Sequence, residues 1–226
     1  RSYMESWIRR PEEIKRKVKA LIMTQLNTIE VSGRNLVVAD VIVRYVVRTL
    51  QRDLELLQKE GRDSLEILGR EIKVAGEFCG QRFKGFIDRL DSFREGQARV
   101  VDYKTGKVLE DDENINDLNA EEIAEKIFNP DMKNWPKIAL QFYIYDMLVG
   151  SRPEVRGRDI YNCVYSTAHL FKEPPVTVPM NRKFFDAVSE RLEALLNEMY
   201  DLDVPFRRTE DTEVCKYCDF KSICGR

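Results

Sequence analysis

The strongest constraint on the fold comes from residues 65–107, where apolar and polar side chains alternate in LEILGREIKVAGEFCGQRFKGFIDRLDSFREGQARVVDYKTGK. Alternation with a period of two is typical of strands that bury one face, and glycines interrupt it here at short intervals. The pattern predicts three antiparallel strands at 67–77, 81–93 and 97–104, joined by turns near the CG and REGQ sequences. A three-strand meander is therefore expected at the centre of the fold.

The sequence on both sides of the meander is typical of helices. Residues 1–61 keep apolar side chains at spacings of three and four and reach a stop at Gly61. Residues 135–150, WPKIALQFYIYDMLVG, fit a helix with proline near its first turn and glycine at its end. Further predicted elements are strands at 158–166 and 174–179, a helix at 181–200, and a short helix or mobile segment within the acidic residues 105–134. This order predicts an α+β or α/β fold in which a small mixed sheet is flanked by helices.

The composition limits the classes of protein to which the chain can belong. With 226 residues, 43% of them hydrophobic, the chain can bury one sizeable core. Its charged residues nearly cancel to a net charge of -2, which excludes the strongly basic bulk of a simple nucleic-acid binder. No apolar run reaches the length of a membrane span and no signal peptide opens the sequence, so no membrane partner is expected. The sequence begins at Arg1 within a helix-like pattern, which we interpret as part of a longer protein.

The cysteines favour a reducing, cytoplasmic compartment. Their number is odd, and three of the five lie in the last dozen residues, unlike a secreted disulfide framework. The tail spacing, Cys215-x2-Cys218-x5-Cys224, is typical of thiolates that hold a soft metal, and zinc is the generic candidate. Cys163 falls inside a predicted strand and is interpreted as a small buried hydrophobe, whereas Cys79 falls at a turn.

Two acids and a lysine form a candidate metal centre at the end of the meander. If the second and third strands pair as a hairpin, Asp88 and Asp102 reach the same end of the sheet, where two carboxylates repel unless a cation lies between them. Oxygen ligands of this kind suit Mg²⁺ or Mn²⁺. Lys104 projects to the same face as Asp102, where an ammonium can stabilise charge on a phosphoryl group. A solvated sheet face is the alternative explanation.

Four motifs in a fixed order, GFIDRLD, VVDYKTGK, LQFYIYD and CKYCDFKSIC, resemble the nuclease domain of the RecB and AddB type in the PD-(D/E)XK superfamily. The resemblance covers roughly residues 67–226 and implies a restriction-endonuclease-like α+β fold. It implies that Asp88, Asp102 and the carbonyl of Tyr103 are metal ligands, and that Lys104 is the catalytic lysine.

The helix motif adds two polar candidates by the same resemblance. Gln141 and Tyr145, one helical turn apart, would line the site and approach the DNA strand, although ordinary core packing is the alternative for Tyr145. Glu71, at the start of the meander, ranks below them. Family members also carry a metal-binding His on a helix upstream of the meander, whereas the single histidine here is His169, predicted on a surface loop. We expect the missing ligand upstream of Arg1, because its absence from the natural protein would put activity in doubt.

The resemblance implies a Mg²⁺-dependent (or Mn²⁺-dependent) deoxyribonuclease, an exonuclease domain that hydrolyses phosphodiester bonds in double-strand break repair or recombination. DNA is the implied substrate, and a helicase or nuclease subunit is the implied partner within a larger helicase–nuclease. The isolated fragment could be inactive. Two alternatives come from other classes: a catalytically inactive DNA-binding or scaffolding module of the same fold, and a zinc-ribbon interaction domain, which explains only the tail.

Some members of this family close their nuclease domain with a 4Fe–4S cluster. The resemblance therefore implies an iron–sulfur site at Cys215, Cys218 and Cys224, with a fourth cysteine upstream of Arg1 and Zn²⁺ as the alternative metal. Such a cluster would join distant segments and contribute folding free energy, and it would be incomplete in this chain alone. The expected organisation is an N-terminal helical region at 1–66, a nuclease core at 67–205 and a Cys-rich tail at 206–226.

Overall fold

One mixed five-stranded sheet forms the centre of the molecule, with its strands in the order β1-β2-β3-β4-β5. The computed structural model describes residues 1–129, 134–205, 207–210 and 212–226, and at position 214 the backbone alone. Pairing is antiparallel except between β3 and β4, which run parallel. The strands are β1 (Glu66–Phe78), β2 (Gln81–Ser92), β3 (Gln97–Lys104), β4 (Asp159–Ser166) and β5 (Thr177–Pro179).

The first three strands confirm the predicted meander to within one residue at each end. The last strand is shorter than predicted, because the sequence at 174–179 opens with Pro174 and Pro175, and proline has no N–H to donate to a ladder. Pairing with β4 begins at Thr177 instead. The mixed sheet flanked by helices confirms the predicted α+β fold class.

Helices account for most of the remaining chain. The predicted N-terminal helical region consists of three helices, and the third ends before Gly61, whose φ of +62° favours glycine. The acidic stretch contains two short helices, while its residues 130–133 lie outside the described part of the chain. No described helix is long and apolar enough to cross a membrane. The helices are α1 (Ser2–Ile8), α2 (Pro11–Leu26), α3 (Arg34–Lys59), α4 (Glu110–Glu113), α5 (Ala120–Phe128), α6 (Lys137–Val149) and α7 (Arg182–Tyr200), with a 3-10 turn at Val214–Tyr217.

Helix layers cover both faces of the sheet. On one face α6 packs against β1, β2 and β3, with Phe142 and Tyr145 among the core residues that meet Leu90 and Val100. Helices α5 and α7 extend this layer through a second apolar cluster. On the other face α3 lies over a smaller cluster that includes Cys163, so the prediction of a buried, hydrophobe-like cysteine is confirmed.

A buried carboxylate holds the beginning of α6. Asp112 Oδ1 accepts hydrogen bonds from the backbone N–H groups of Ile138 and Ala139, both at 3.0 Å, and its Oδ2 accepts the Leu109 N–H at 3.1 Å. The Ile138 and Ala139 N–H groups lie in the first turn of α6 and have no partner within the helix, so a carboxylate from another segment caps them. Burial raises the pKa of Asp112 although these hydrogen bonds oppose the rise. The acidic stretch thereby fixes the helix that carries Gln141 and Tyr145.

Candidate functional site

The second and third strands separate where the candidate residues lie. Their ladder pairs Asp91 with Arg99 and ends at the pair Arg89–Val101. Beyond the ladder, the backbone N–H of Tyr103, two residues after Val101, donates to the side chain of Asp88, the residue before Arg89, at 2.8 Å. A side-chain hydrogen bond thus replaces the strand-to-strand bond, and the two strands open into a fork.

A change of phase in the hairpin places Asp88 beside this fork. On the side of Asp88 towards the hairpin turn, Gly85 and Ile87 face α6. On the other side of Asp88, Leu90 faces α6, so the alternation of residues between the two faces of the sheet shifts by one. On the partner strand the regular pairing breaks at Glu71, whose φ of 49° lies in the left-handed region. Arg70 pairs with Arg89 and Ile72 with Ile87 on either side of the break. The kink therefore lies at the position of Glu71 and Asp88 in both strands.

Asp102, Lys104 and Gln141 form one polar cluster on the α6 side of the fork. Lys104 Nζ lies 2.7 Å from Asp102 Oδ2 and donates to Gln141 Oε1 at 2.7 Å. Gln141 Nε2 in turn donates to Asp102 Oδ1 at 3.0 Å. Asp102 is 3% exposed, and burial raises its pKa, with Asp88 adding to the rise while Lys104 and Gln141 oppose it. A cation bound beside this buried carboxylate would therefore lower its pKa.

Tyr145 supports Gln141 from behind and is buried in the core. Its hydroxyl donates to the Phe86 carbonyl at 2.6 Å and accepts the second Gln141 Nε2 hydrogen at 2.7 Å. The ring lies against Gly85, where an added Cβ would be 2.8 Å from the Tyr145 Cε1 atom. The glycine of the GFID motif is therefore required by the tyrosine of the helix. Tyr145 acts in the packing as well as in the polar cluster.

The donors at the fork suit a hard divalent cation. Asp88 is half-buried and uses Oδ2 for the Tyr103 N–H, so its Oδ1 remains for another partner. Asp102 Oδ2 is buried, and its ion pair with Lys104 is its one contact with a polar group of the described residues. Two carboxylates are sufficient protein ligands for Mg²⁺, which keeps several waters. Among the described residues, no group of three His, Cys, Asp or Glu side chains converges to form a larger metal site.

Two weaker candidates lie apart from this cluster. Glu71 is exposed, and the feature that distinguishes it is its backbone conformation at the kink. His169 lies in the turn after β4 with its Nδ1 3.7 Å from the Glu173 carboxylate, in agreement with the predicted surface position.

The three tail cysteines lie near the surface of the protein. Cys215, Cys218 and Cys224 are each partly exposed, and Arg226 Nη1 lies 3.4 Å from Cys215 Sγ. Within the described residues these thiols do not converge as a set of three ligands. As arranged here, they do not fit an iron–sulfur cluster or a zinc ion, and the tail metal stays a prediction.

Several buried charges near the site were not predicted from the sequence. Asp53 on α3 accepts a bidentate pair of hydrogen bonds from Arg89, both at 2.9 Å, and Arg99 binds Asp91 in the same way at 2.9 Å. A signal was present, because the DRLD sequence carries three charged residues within a strand that ends buried. No comparable signal marks Asp112 as the cap of α6.

Comparison with known proteins agrees with this geometry. A family model described as the PD-(D/E)XK nuclease superfamily matches residues 3–225. No curated protein matches the chain. Among solved structures, one described as "Crystal structure of SSO0001" is 14% identical, with a TM-score of 0.36, over 95% of this chain and 80% of the other.

Proposed function

Because the chain belongs to the PD-(D/E)XK nuclease superfamily, whose members are typically metal-dependent nucleases, we propose that it hydrolyses phosphodiester bonds of DNA with Mg²⁺ or Mn²⁺. The observation that carries the proposal is the cluster of Asp102, Lys104 and Gln141 beside Asp88, at the point where β2 and β3 separate. The cluster joins two carboxylates and an ammonium in one partly buried site.

Asp88, Asp102 and the carbonyl of Tyr103 would hold the metal. When bound, the cation supplies Lewis-acid polarisation of a phosphoryl oxygen and lowers the pKa of a coordinated water. Asp102 is oriented for this role by Gln141, which binds its second oxygen at 3.0 Å. Asp88 is oriented by the Tyr103 N–H at 2.8 Å, and this bond also fixes the peptide that precedes the Tyr103 carbonyl.

Lys104 would be the catalytic lysine. Its ammonium already neutralises the buried Asp102 carboxylate at 2.7 Å, and it is partly exposed at the mouth of the fork. With a metal ion held by the carboxylates, the Lys104 ammonium would be free to contact a phosphoryl oxygen and to stabilise the negative charge that develops there. Gln141 holds the ammonium in place through its Oε1, and Tyr145 holds Gln141.

The resemblance of the motifs supports a more specific proposal. We propose that the domain is of the RecB or AddB type and acts as an exonuclease in double-strand break repair or recombination, together with a helicase or nuclease partner in the cytoplasm. The proposed organisation keeps the helical region at 1–66, the nuclease core at 67–205 and the tail at 206–226. The tail cysteines would hold an iron–sulfur cluster or zinc only after they are brought together with further ligands.

An inactive DNA-binding or scaffolding module is the second candidate. It is favoured by one observation: within the described residues no histidine joins the two carboxylates. The two candidates differ in what they predict for Lys104, because only an enzyme uses its ammonium to stabilise charge on a phosphoryl group.

Cleavage by the Lys104→Ala protein tests the proposal. With 5′-labelled DNA and Mg²⁺, we expect the wild-type protein to cut and the variant to lose on the order of a hundredfold or more in rate, because a charge-stabilising donor is removed. Lys107→Ala, three residues along on the exposed surface, is the matched control and should cut at the wild-type rate. Equal cleavage by both variants would contradict the catalytic role, and DNA binding by a wild-type protein that never cuts would favour the scaffold.

A further inference from the structure

We propose that Asp53 of α3 is a positioning residue for the metal centre, acting through Arg89 on the fork formed by Asp88 and Tyr103. The inference rests on the proposed function, because it concerns the same centre from the opposite face of the sheet. Asp53 lies on the α3 side, whereas Asp102 faces α6, so Asp53 does not itself reach the site.

A buried, neutral network surrounds Asp53. Arg89 donates to both of its oxygens at 2.9 Å, and the Tyr165 hydroxyl donates to Oδ1 at 2.6 Å. Arg89 Nε also lies 2.8 Å from Asp91, which Arg99 binds through two hydrogen bonds of 2.9 Å. All five side chains are buried, and two carboxylates balance two guanidinium groups. Such a network is stable only while every charge keeps its partner.

The network of buried charges lies next to the point where the β2–β3 ladder ends. Backbone pairing between β2 and β3 ends at Arg89–Val101, so Asp88, the next residue of β2, is not paired with β3. Tyr103 lies two residues along β3 from Val101 and still pairs with Tyr165 of β4. Arg89 is bonded in the chain to Asp88, and its guanidinium lies 5.8 Å from the Tyr103 ring centroid. Anchoring Arg89 to Asp53 therefore holds the Asp88 arm of the fork against α3, while β4 holds the Tyr103 arm. A cation shared by the two arms requires that the distance between them be fixed.

Stability alone does not account for these charges. A buried ion pair is often replaced by apolar residues of similar volume without loss of stability. Apolar side chains at these positions would fill the space, but without directional hydrogen bonds they would not hold residue 89 and its neighbours in one orientation. The triple variant Asp53→Leu, Arg89→Met, Tyr165→Phe removes the pair together with the hydroxyl, and it leaves the Asp91–Arg99 pair intact.

Direct Mn²⁺ binding and amide exchange test the positioning role. We expect the triple variant to fold, with its Mn²⁺ dissociation constant by calorimetry raised about tenfold or more, as when the partners of metal ligands are lost. The Tyr103 amide, which donates to Asp88, should exchange with solvent at least several-fold faster. Cleavage should lose kcat while KM for DNA stays near the wild-type value. Arg52→Met is the matched control: this buried α3 cation bonds the Leu170 carbonyl at 2.9 Å and should leave all three measurements unchanged.

Two outcomes would overturn the proposal. One is a folded triple variant that keeps wild-type Mn²⁺ affinity and Tyr103 exchange, which would make the network purely structural. If the triple variant does not fold, the single variant Tyr165→Phe tests the proposal instead. A two- to threefold weaker Mn²⁺ affinity would support the positioning role, and an unchanged Mn²⁺ affinity would contradict it. The Asp102→Asn variant distinguishes this failure from failure of the proposed function. If that variant binds Mn²⁺ as tightly as the wild-type protein does, there is no metal centre at the fork. The Tyr103 exchange rate still tests the network in that case.

Discussion

Replacing Asp146 with asparagine should stabilise the protein, and more so at higher pH. Asp146 lies on α6, and the buried Asn162 of β4 donates to its Oδ2 at 2.8 Å. Its Oδ1 is buried with no hydrogen-bond partner among the described residues. Burial raises the pKa of Asp146 from 3.8 to about 7, while the Asn162 hydrogen bond opposes the rise. The carboxyl is therefore neutral in the folded protein over a range where the unfolded chain has ionised it.

The size and sign of the effect follow from this difference in pKa. The unfolded state releases the proton from about pH 4 upward and the folded state only near pH 7, so stability falls across that interval and then levels off. About three pKa units at ~1.4 kcal/mol each give a penalty of about 4 kcal/mol at pH 8. At pH 5 the penalty is roughly 2 kcal/mol by the same relation. Asparagine has no proton to release, so Asp146→Asn recovers these amounts.

Urea unfolding followed by far-ultraviolet circular dichroism, at pH 5 and pH 8, measures the two gains. We expect the stabilisation by Asp146→Asn to be about 2 kcal/mol larger at pH 8 than at pH 5. Asp186→Asn is the control, because that carboxylate is exposed on α7 beside Arg182 and should give the same small change at both pH values. A gain in Asp146→Asn that does not grow with pH would refute the assignment of a neutral, buried carboxyl.

Three further predictions concern the support of the site and the tail. Gly85→Ala should push the Tyr145 ring from its place, costing roughly 1–3 kcal/mol in urea unfolding and lowering cleavage, whereas Gly106→Ala, which meets open space, should have little effect on stability. Asp112→Ala should destabilise the start of α6 by about 1–3 kcal/mol, measured by the same unfolding assay, because two buried N–H groups of α6 and the part-buried Leu109 N–H lose their acceptor. For the tail, we expect a protein that also supplies a fourth cysteine ligand to be brown when purified without oxygen, and to lose its colour when Cys215, Cys218 or Cys224 is replaced by Ser. A colourless protein with one zinc per chain would contradict iron–sulfur binding.

The meander and the face shared by Asp102 and Lys104 could be predicted because both depend on the two-residue period of a strand. The alternation of apolar and polar residues and the glycine turns carried that information directly. The kink could not be predicted in this way, since Glu71 adopts a left-handed conformation that nothing in its residue type favours. Its position depends on the pairing of two strands and on the packing of α6.

The partners of the site residues were also beyond reach, because they come from distant parts of the chain. Asp53 meets Arg89 across 36 positions, and Asp112 meets Ile138 across 26. Each is a single acid within an otherwise ordinary helical or acidic segment, so no local pattern distinguishes it from a solvated charge. The sequence could indicate candidates for the chemistry, but not the residues that hold those candidates in place.

The kink between Glu71 and Asp88 divides the first hairpin into two parts with different freedom to change in length. The outer part, from Ile72 to Ile87, continues to the turn at Gly80, and its tip meets α7 through the Tyr200 hydroxyl, 2.9 Å from the Gln81 side chain. The fork lies on the inner side, where Arg70 pairs with Arg89 and β2 also pairs with β3. Shortening both strands of the outer part by the same even number of residues would keep each remaining side chain on its own face. The hairpin arm could thus vary in length among relatives while Asp88 stays in place.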